Sequence, residues 1–247
     1  MFVADLHNDL VQRMMIGEDV TQNTSSGHTD IERLKLSSID LEVMIVWASE
    51  KEDNISYFDF ASQMYDKLDA LNNIEGVTVP RTLHEIKLAK EKNELSLPIG
   101  MEGGEALENK IENLEYFINK GLFYFGPTWN HSLDWVSSGY GETHKKNSLK
   151  SYGLNEFGIE VIHTCQENNV LIDVSHIGEK SFWDIKENSK KPFIASHSSV
   201  HNLCPHFRNL KDDQIKAIKD VNGFCLLYTS DAADEGLGVD LGGRRII

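Results

Sequence analysis

The sequence predicts an α/β barrel of the (β/α)8, TIM-type kind, and three observations support this prediction. Short apolar runs alternate with amphipathic segments along the 247 residues, as in repeated βαβ units. The glycine-rich signatures GxGxxG and the P-loop are missing, which disfavours an open, nucleotide-binding sheet. Metal-competent side chains follow several of the apolar runs. In a parallel barrel all strand carboxyl ends lie on one face, so these side chains would share the face where active sites are built.

The apolar runs are the predicted strands, and the amphipathic segments between them are the predicted helices. The strands are expected at 2–6, 41–48, 97–101, 122–127, 170–174, 193–195 and 223–228. The helices are expected at 57–71, 83–92, 106–119, 156–168, 179–188 and 211–219. The stretch 131–151 is rich in Ser, Gly, Asn and Lys and is predicted to form a lid or binding loop.

Composition and charge exclude several classes of partner. The 39 acidic and 24 basic residues give a formal charge of −15, which argues against nucleic-acid or anionic-membrane binding. The sequence has no run of 18 apolar residues and no basic, apolar leader at its start, so we expect neither a membrane span nor secretion. Cys165, Cys204 and Cys225 are widely spaced and odd in number, which favours reduced thiols in a cytoplasmic protein.

Several predicted strands end in residues that bind divalent metals. His7 and Asp9 follow the first strand two residues apart, so both side chains point to the same side of an extended segment. Glu102, His176 and His197 each end or follow a later strand. These nitrogen and oxygen donors suit Zn²⁺, but five ligands are too many for one tetrahedral zinc that keeps a water. Two metals that share Glu102 as a bridging carboxylate fit the number of ligands.

Each of these features alone also has a structural explanation. One His-x-Asp pair, or one histidine at a barrel mouth, is more often structural than functional, and Glu102 before two glycines could cap the next helix. Arg208 could hold a substrate carboxylate through its planar guanidinium or form a surface ion pair, and Asn209 could cap a helix. The repetition of metal-competent residues at four strand ends favours the functional interpretation.

Taken in order, the motifs identify the sequence as similar to the membrane (renal) dipeptidase family of zinc metallopeptidases, within the amidohydrolase-like barrels. The similarity runs from about residue 3 to about residue 224. It includes Asp-Leu-His-Asn-Asp-Leu at 5–10, Gly-Met-Glu-Gly-Gly at 100–104, Thr-Trp-Asn at 128–130, Asp-Val-Ser-His at 173–176, Ala-Ser-His-Ser at 195–198 and the loop 204–210. The resemblance implies two zinc ions, one on His7 and Asp9, the other on His176 and His197, with Glu102 bridging them.

The resemblance also implies the reaction and the substrate contacts. Dipeptides would be hydrolysed by a hydroxide held between the two metals. Arg208 would help to bind the free carboxylate of the substrate, and Asn209 is also predicted to bind substrate. Family members often carry a histidine directly after the threonine of the Thr-Trp-Asn block. Here that position is Trp129, and His131 stands two residues later, so both are predicted to contact the substrate. The expected partner is a dipeptide, and a homodimer is left open.

The end of the sequence departs from the family pattern. The family places a proton-handling aspartate on its eighth strand, in a Gly-Ser-Asp-Phe-Asp-Gly-like block. Residues 238–243 resemble this block, but only 43 residues lead from His197 to Asp240. Two βα units would have to fit there, and a single βαβ unit already takes about 30 residues or more. We therefore expect a partial barrel over 1–224, with strands seven and eight missing or replaced and without the strand-eight aspartate. The segment 225–247 is expected to be a foreign tail, similar to a translated sequencing adaptor, and such a chain would be weakly active or inactive.

Two other functions remain open from the sequence. One is a different binuclear barrel hydrolase acting on a lactone, phosphoester or cyclic amide, although such proteins usually carry His-x-His where this sequence has His7 and Asp9. The other is a metal-binding barrel fragment without catalytic activity.

Overall fold

A computed structural model of the protein describes residues 2–49, 51, 54–144 and 153–227. The chain divides into two compact units, Met1–Phe125 and Gly126–Ile247. Both have an α/β fold in which the strands pair in parallel. Except for Cys225–Leu227, the predicted tail lies outside the described residues, and so does Asp240. Among the described residues, no helix has the length and apolar character needed to cross a membrane.

Largely buried parallel strands form the centre of the first unit. Its strands are β1 (Ala4–Asn8), β2 (Leu41–Trp47), β3 (Val77–Thr78), β4 (Leu95–Ser96) and β5 (Ile99–Glu102), and β6 (Tyr124–Gly126) begins within it. The sheet order is β3-β4-β2-β5, with β1 paired to β2. Nearly every residue of β2 is buried, because helices cover parallel sheets on both faces. This explains why β2 appears in the sequence as a continuous apolar run.

Capping residues and the spacing of apolar residues explain where the helices of the first unit form. They are α1 (Leu10–Met15), α2 (Ile31–Leu36), α3 (Tyr57–Asp69), α4 (Leu83–Lys92) and α5 (Ile111–Lys120). Ser56 caps α3 through the backbone N–H of Asp59, and Thr82 and Glu85 form a reciprocal capping box on α4. The predicted helix 106–119 is wrong in its first part. Glu108 and Asn109 have φ values of 48° and 55°, and this left-handed pair separates a short 3-10 helix, Gly104–Leu107, from α5.

The second unit repeats the strand–helix–strand pattern. Its strands are β7 (Leu171–Asp173), β8 (Phe193–Ser198) and β9 (Cys225–Leu227), paired in that order. Its helices are α6 (Gly139–His144), α7 (Glu156–Glu167), α8 (Glu179–Asn188) and α9 (Asp212–Asp220). Apolar side chains from strands and helices form its core, among them Val161, Ile162, Ile172, Phe182 and Phe193, each no more than 1% exposed. Within the described part of the predicted loop 131–151, α6 is a helix that the sequence analysis missed.

Candidate metal centre

In the first unit, His7, Asp9 and Glu102 form what we term the first ligand set. His7 lies in β1, Asp9 directly follows it, and Glu102 is the last residue of β5. His7 Nε2 lies 3.7 Å from Asp9 Oδ1 and 3.6 Å from Glu102 Oε2. The side chains of His7 and Glu102 are only 2% and 6% exposed. Two carboxylates therefore converge on one imidazole nitrogen at distances longer than a hydrogen bond, and this donor set fits zinc.

Tyr124 determines which nitrogen of His7 carries the proton. The Tyr124 hydroxyl donates to the carbonyl oxygen of Leu6 at 2.9 Å and lies 3.0 Å from His7 Nδ1. A hydroxyl has a single proton, so its oxygen accepts from Nδ1–H, and Nε2 keeps the lone pair that faces the carboxylates. Metal-binding histidines commonly donate their other N–H in this way. Sequence analysis missed Tyr124, although a tyrosine in a buried strand is a signal, because its hydroxyl needs a partner.

Neither carboxylate of the first ligand set caps a helix, which was the structural alternative for Glu102. Asp9 stands at the N-cap position of α1, yet its side chain makes no capping hydrogen bond. The backbone N–H of Leu10 instead donates to Asn8 Oδ1 at 3.1 Å. The 3-10 helix after Glu102 likewise has no side-chain cap, and its preceding residue Gly103 has a φ of 86°, which favours glycine.

In the second unit, His176 and His197 form the second ligand set. Their Nε2 atoms lie 3.1 Å apart, and the two residues are 3% and 2% exposed. His176 Nδ1 lies 3.2 Å from Asn130 Oδ1. Because an amide oxygen only accepts, Nδ1 of His176 carries the proton and its Nε2 lone pair faces His197.

The backbone at His176 is unusual for a histidine. His176 has a φ of 62°, in the left-handed region where non-glycine residues are uncommon. Such a conformation costs on the order of 1–3 kcal/mol and is concentrated at functional sites. His176 adopts this left-handed conformation shortly after the end of β7. The energetic cost of the conformation supports a functional role for His176.

The Thr-Trp-Asn block lies beside the second ligand set. The Trp129 ring is 6.4 Å from the His176 ring and 5.5 Å from the His131 ring, measured between centroids. Asn130 holds His176 as described, and His131 is exposed. Of the two aromatic residues predicted to contact the substrate, Trp129 therefore neighbours a predicted metal ligand, and His131 neighbours Trp129. Asn130 was part of the quoted motif, but its role as a hydrogen-bond partner was missed.

A cavity of about 300 Å³ in the second unit contains the predicted carboxylate-binding residues. It is lined in part by Glu142, His176, His206, Arg208, Asn209 and Lys211. The Arg208 guanidinium donates to the carbonyl oxygen of His197 at 3.1 Å, which links it to the second ligand set. Burial lowers the pKa of His206, and the Arg208 charge contributes. Asn209 donates to the carbonyl oxygen of Cys204 at 2.7 Å, whereas the N-cap of α9 is Lys211.

A buried carboxyl group that sequence analysis missed lies behind the first ligand set. Glu42 is 2% exposed in β2, and its Oε1 accepts from Asn8 Nδ2 at 2.7 Å. The pKa of Glu42 is raised to about 7, mainly by burial and also by the charge of Asp5, while the Asn8 hydrogen bond opposes both effects. Asn8 stands between His7 and Asp9, so this contact holds the backbone that carries both. A charged residue inside an apolar run was the available signal.

An α/β fold with histidines and carboxylates at the carboxyl ends of parallel strands is typical of metal-dependent hydrolases. Residues 1–233 match the family described as membrane dipeptidase, peptidase family M19. The chain belongs to this family of metallopeptidases, and the resemblance inferred from the motifs is confirmed.

Two individual relatives match most of the chain. The chain is 26% identical over 246 residues to an uncharacterised protein from Acinetobacter calcoaceticus, an alignment that covers 90% of this chain and 78% of that protein. It is 25% identical over 238 residues to human dipeptidase 3, covering 92% of this chain and 47% of that protein. The chain thus spans about half the length of the human relative.

A solved structure shares the fold. It is a metallopeptidase from Rhodobacter sphaeroides, crystallised with a phosphinate mimic of the dipeptide L-Ala-D-Ala. The TM-score is 0.81 at 23% identity, and the match covers 92% of this chain and 73% of that one. The α/β fold with parallel strands that the sequence predicts is confirmed.

Proposed function

We propose that the protein containing this sequence hydrolyses dipeptides with two zinc ions. His7 and Asp9 hold one ion, His176 and His197 hold the other, and Glu102 bridges them. The proposal rests on two buried ligand sets, one in each unit. Within each set, the nitrogen or carboxylate donors lie close together at or just after the ends of strands. Membership in a metallopeptidase family supports joining the two sets in one centre.

The residues of the chain prepare the donors before any metal binds. Tyr124 and Asn130 hold the protons of His7 and His176 on Nδ1, so that Nε2 is available as a ligand. Burial of His7, Glu102, His176 and His197 keeps bulk water away and strengthens electrostatic interactions in the site. Bound zinc ions would supply an activated water and polarise the scissile carbonyl.

The cavity of the second unit supports a substrate with a free carboxylate. A guanidinium binds a carboxylate through two parallel, charge-assisted hydrogen bonds, and Arg208 lines the cavity together with His176. We assign the substrate carboxylate to Arg208, with Asn209 shaping the same loop. Trp129 and His131 would contact the rest of the dipeptide from the side of His176.

The test combines metal analysis with a substrate panel. Purified protein is stripped with a chelator and titrated with Zn²⁺, and two ions per chain are expected. His7→Ala and His176→Ala should each lower the number of ions bound, whereas His84→Ala, at an exposed histidine, should not. Dipeptides with a free carboxylate should be cleaved faster than C-terminally amidated ones. Zinc binding that survives both ligand substitutions, or faster turnover of a lactone than of any dipeptide, would contradict the proposal.

Location and assembly remain predictions. The free thiols of Cys165 and Cys204 support the predicted location in a reducing compartment, the cytoplasm. A homodimer is the assembly to test by light scattering on the purified protein.

A further inference from the structure

A fully buried carboxyl group, Asp173, lies behind the second ligand set. It ends β7, is 2% exposed and is surrounded by donors. Its Oδ1 accepts from the backbone N–H of Ser175 at 3.1 Å, the Ser175 hydroxyl at 2.9 Å and the backbone N–H of Ser196 at 2.8 Å. Its Oδ2 accepts from the Ser196 hydroxyl at 2.5 Å.

Ser196 connects this carboxylate to a predicted metal ligand. The Ser196 Oγ lies 2.7 Å from His197 Nδ1, and both side chains are buried. The single proton of the hydroxyl points to Asp173, so Ser196 Oγ accepts from Nδ1–H of His197. The lone pair of His197 then lies on Nε2, which faces His176 Nε2 at 3.1 Å. Two lone pairs at this distance repel each other unless a cation or a proton lies between them.

We propose that Asp173 is a positioning residue that sets the tautomer of His197 through Ser196 and so makes Nε2 available for a metal ion. The proposal deepens the proposed function, because it assumes that His197 ligates the metal. Its first part, the tautomer, holds independently of any bound metal. The two parts can therefore fail separately.

Asp173→Asn should reverse the chain of hydrogen bonds. Three donors point at the Oδ1 position and only one at Oδ2, so the new amide keeps its oxygen at Oδ1 and places its NH₂ toward Ser196. The NH₂ donates to Ser196 Oγ, which turns its own proton to His197 Nδ1. His197 must then carry its proton on Nε2, where it donates to His176. The variant should fold as stably as the parent protein but bind zinc about tenfold to a hundredfold more weakly, the usual effect of an altered hydrogen-bond partner of a ligand.

The experiment measures the tautomer directly in metal-free protein by ¹⁵N-detected imidazole NMR. The parent protein should show His197 protonated on Nδ1, and Asp173→Asn should show it protonated on Nε2. Zinc affinity is measured by competition with a chromophoric chelator, and stability by thermal unfolding of the metal-free protein. An Nε2–H tautomer in the parent protein, or an unchanged tautomer in the variant, would overturn the proposal. A switched tautomer with unchanged zinc affinity would instead refute the assignment of His197 as a ligand.

A second variant decides the question if Asp173→Asn does not fold. Ser196→Ala removes the link and should leave His197 in a mixture of tautomers with weakened zinc binding. Its matched control is Ser181→Ala, because Ser181 is equally buried in the same unit and belongs to a separate hydroxyl–carboxylate chain with Ser137 and Glu142. A Ser196→Ala protein that keeps a pure Nδ1–H tautomer, or a Ser181→Ala protein with the same loss of affinity, would contradict the proposal.

Discussion

The two ligand sets differ in where they place negative charge. In the first unit, the carboxylates of Asp9 and Glu102 face the imidazole of His7 directly, and a neutral phenol, Tyr124, orients the ring. In the second unit, the set consists of imidazoles only, and the buried carboxyl group of Asp173 acts on it through Ser196. The first set would attract a cation by charge. The second depends on correct tautomers, so small changes in hydrogen bonding should affect it more.

The buried carboxyl groups behind the two sets differ as well. Burial raises the pKa of both Glu42 and Asp173. Glu42 is opposed by one hydrogen bond from Asn8, whereas four donors surround Asp173. Each donor favours the charged form of the carboxyl group that it contacts, so hydrogen bonds offset the effect of burial more at Asp173 than at Glu42. The first unit therefore holds a carboxyl group whose pKa is about 7 near its ligands, whereas the buried carboxyl group of the second unit is linked by hydrogen bonds to Ser175 and Ser196.

The largest expected effect comes from removing the charge that we propose both metals share. Glu102→Gln should lower zinc content and reduce dipeptide turnover on the order of 10³-fold, since a metal ion contributes several kcal/mol to catalysis. Turnover and metal content per chain are measured together. Glu105→Gln is the matched control, because Glu105 is a largely buried carboxyl three residues away. If the Glu102→Gln protein bound as much zinc as the wild type, the proposed role of Glu102 as the bridging ligand would be refuted.

The next largest effect is the dependence of the unfolding free energy on pH, to which Glu42 of the first unit contributes. The folded-state pKa of Glu42 is about 7, against an ordinary value of 4.5, so the stability that this group contributes is complete below pH 4.5 and lost as pH rises through 7. The difference corresponds to about 3 kcal/mol of unfolding free energy. Glutamine can still accept from Asn8, so Glu42→Gln should be more stable than the parent at pH 8 and similar at pH 4.5.

Urea denaturation at both pH values measures this effect. The control is Glu94→Gln, which replaces a half-buried glutamate that accepts from the Thr78 hydroxyl in the same unit. Equal stability gains in Glu42→Gln at pH 4.5 and pH 8 would show that the carboxyl group does not titrate between them.

A substitution of Arg208 should weaken substrate binding in the second unit without affecting metal binding. Arg208→Ala should weaken binding of dipeptides with a free carboxylate about tenfold to a hundredfold, because a hydrogen bond to a charged group contributes about 1.5–3 kcal/mol. KM should rise more than kcat falls, and zinc content should not change. Lys211→Ala is the control, since Lys211 lines the same cavity but pairs with Glu179 at 2.7 Å. An unchanged preference for free over amidated dipeptides would argue against this role.

The smallest expected effect comes from removing the Tyr124 hydroxyl, the neutral group that orients His7 in the first ligand set. Tyr124→Phe removes the acceptor of His7 Nδ1–H and should weaken zinc binding about tenfold to a hundredfold. The charge of Asp9 and Glu102 remains, so we expect the loss to fall at the low end of this range and below that of Asp173→Asn. Tyr65→Phe is the control, because it also removes a buried tyrosine hydroxyl in the same unit, one that donates to the carbonyl oxygen of Lys120. A larger loss in Tyr124→Phe than in Asp173→Asn would reverse the comparison of the two sets.

Much of the fold could be predicted because the signals are local. The alternation of apolar runs and amphipathic segments placed β2, α4 and α8 nearly where they occur. The two-residue strands β3 and β4 were missed, since two residues carry no periodicity. The helix predicted at 106–119 starts too early, because the left-handed residues Glu108 and Asn109, which precede α5, have no strong sequence signature.

By itself, the sequence determined the family and the residues proposed as ligands, because ligand chemistry is a property of residue type and the motifs around strand ends are contiguous. Only the tertiary structure revealed the partners that orient those ligands. His7 meets Tyr124 across 117 residues, His176 meets Asn130 across 46, and Asp173 meets Ser196 across 23. Such pairings depend on how strands pair and helices pack, and no local pattern encodes them. The tautomer of a histidine is therefore decided by the fold, even where the histidine itself is evident from the sequence.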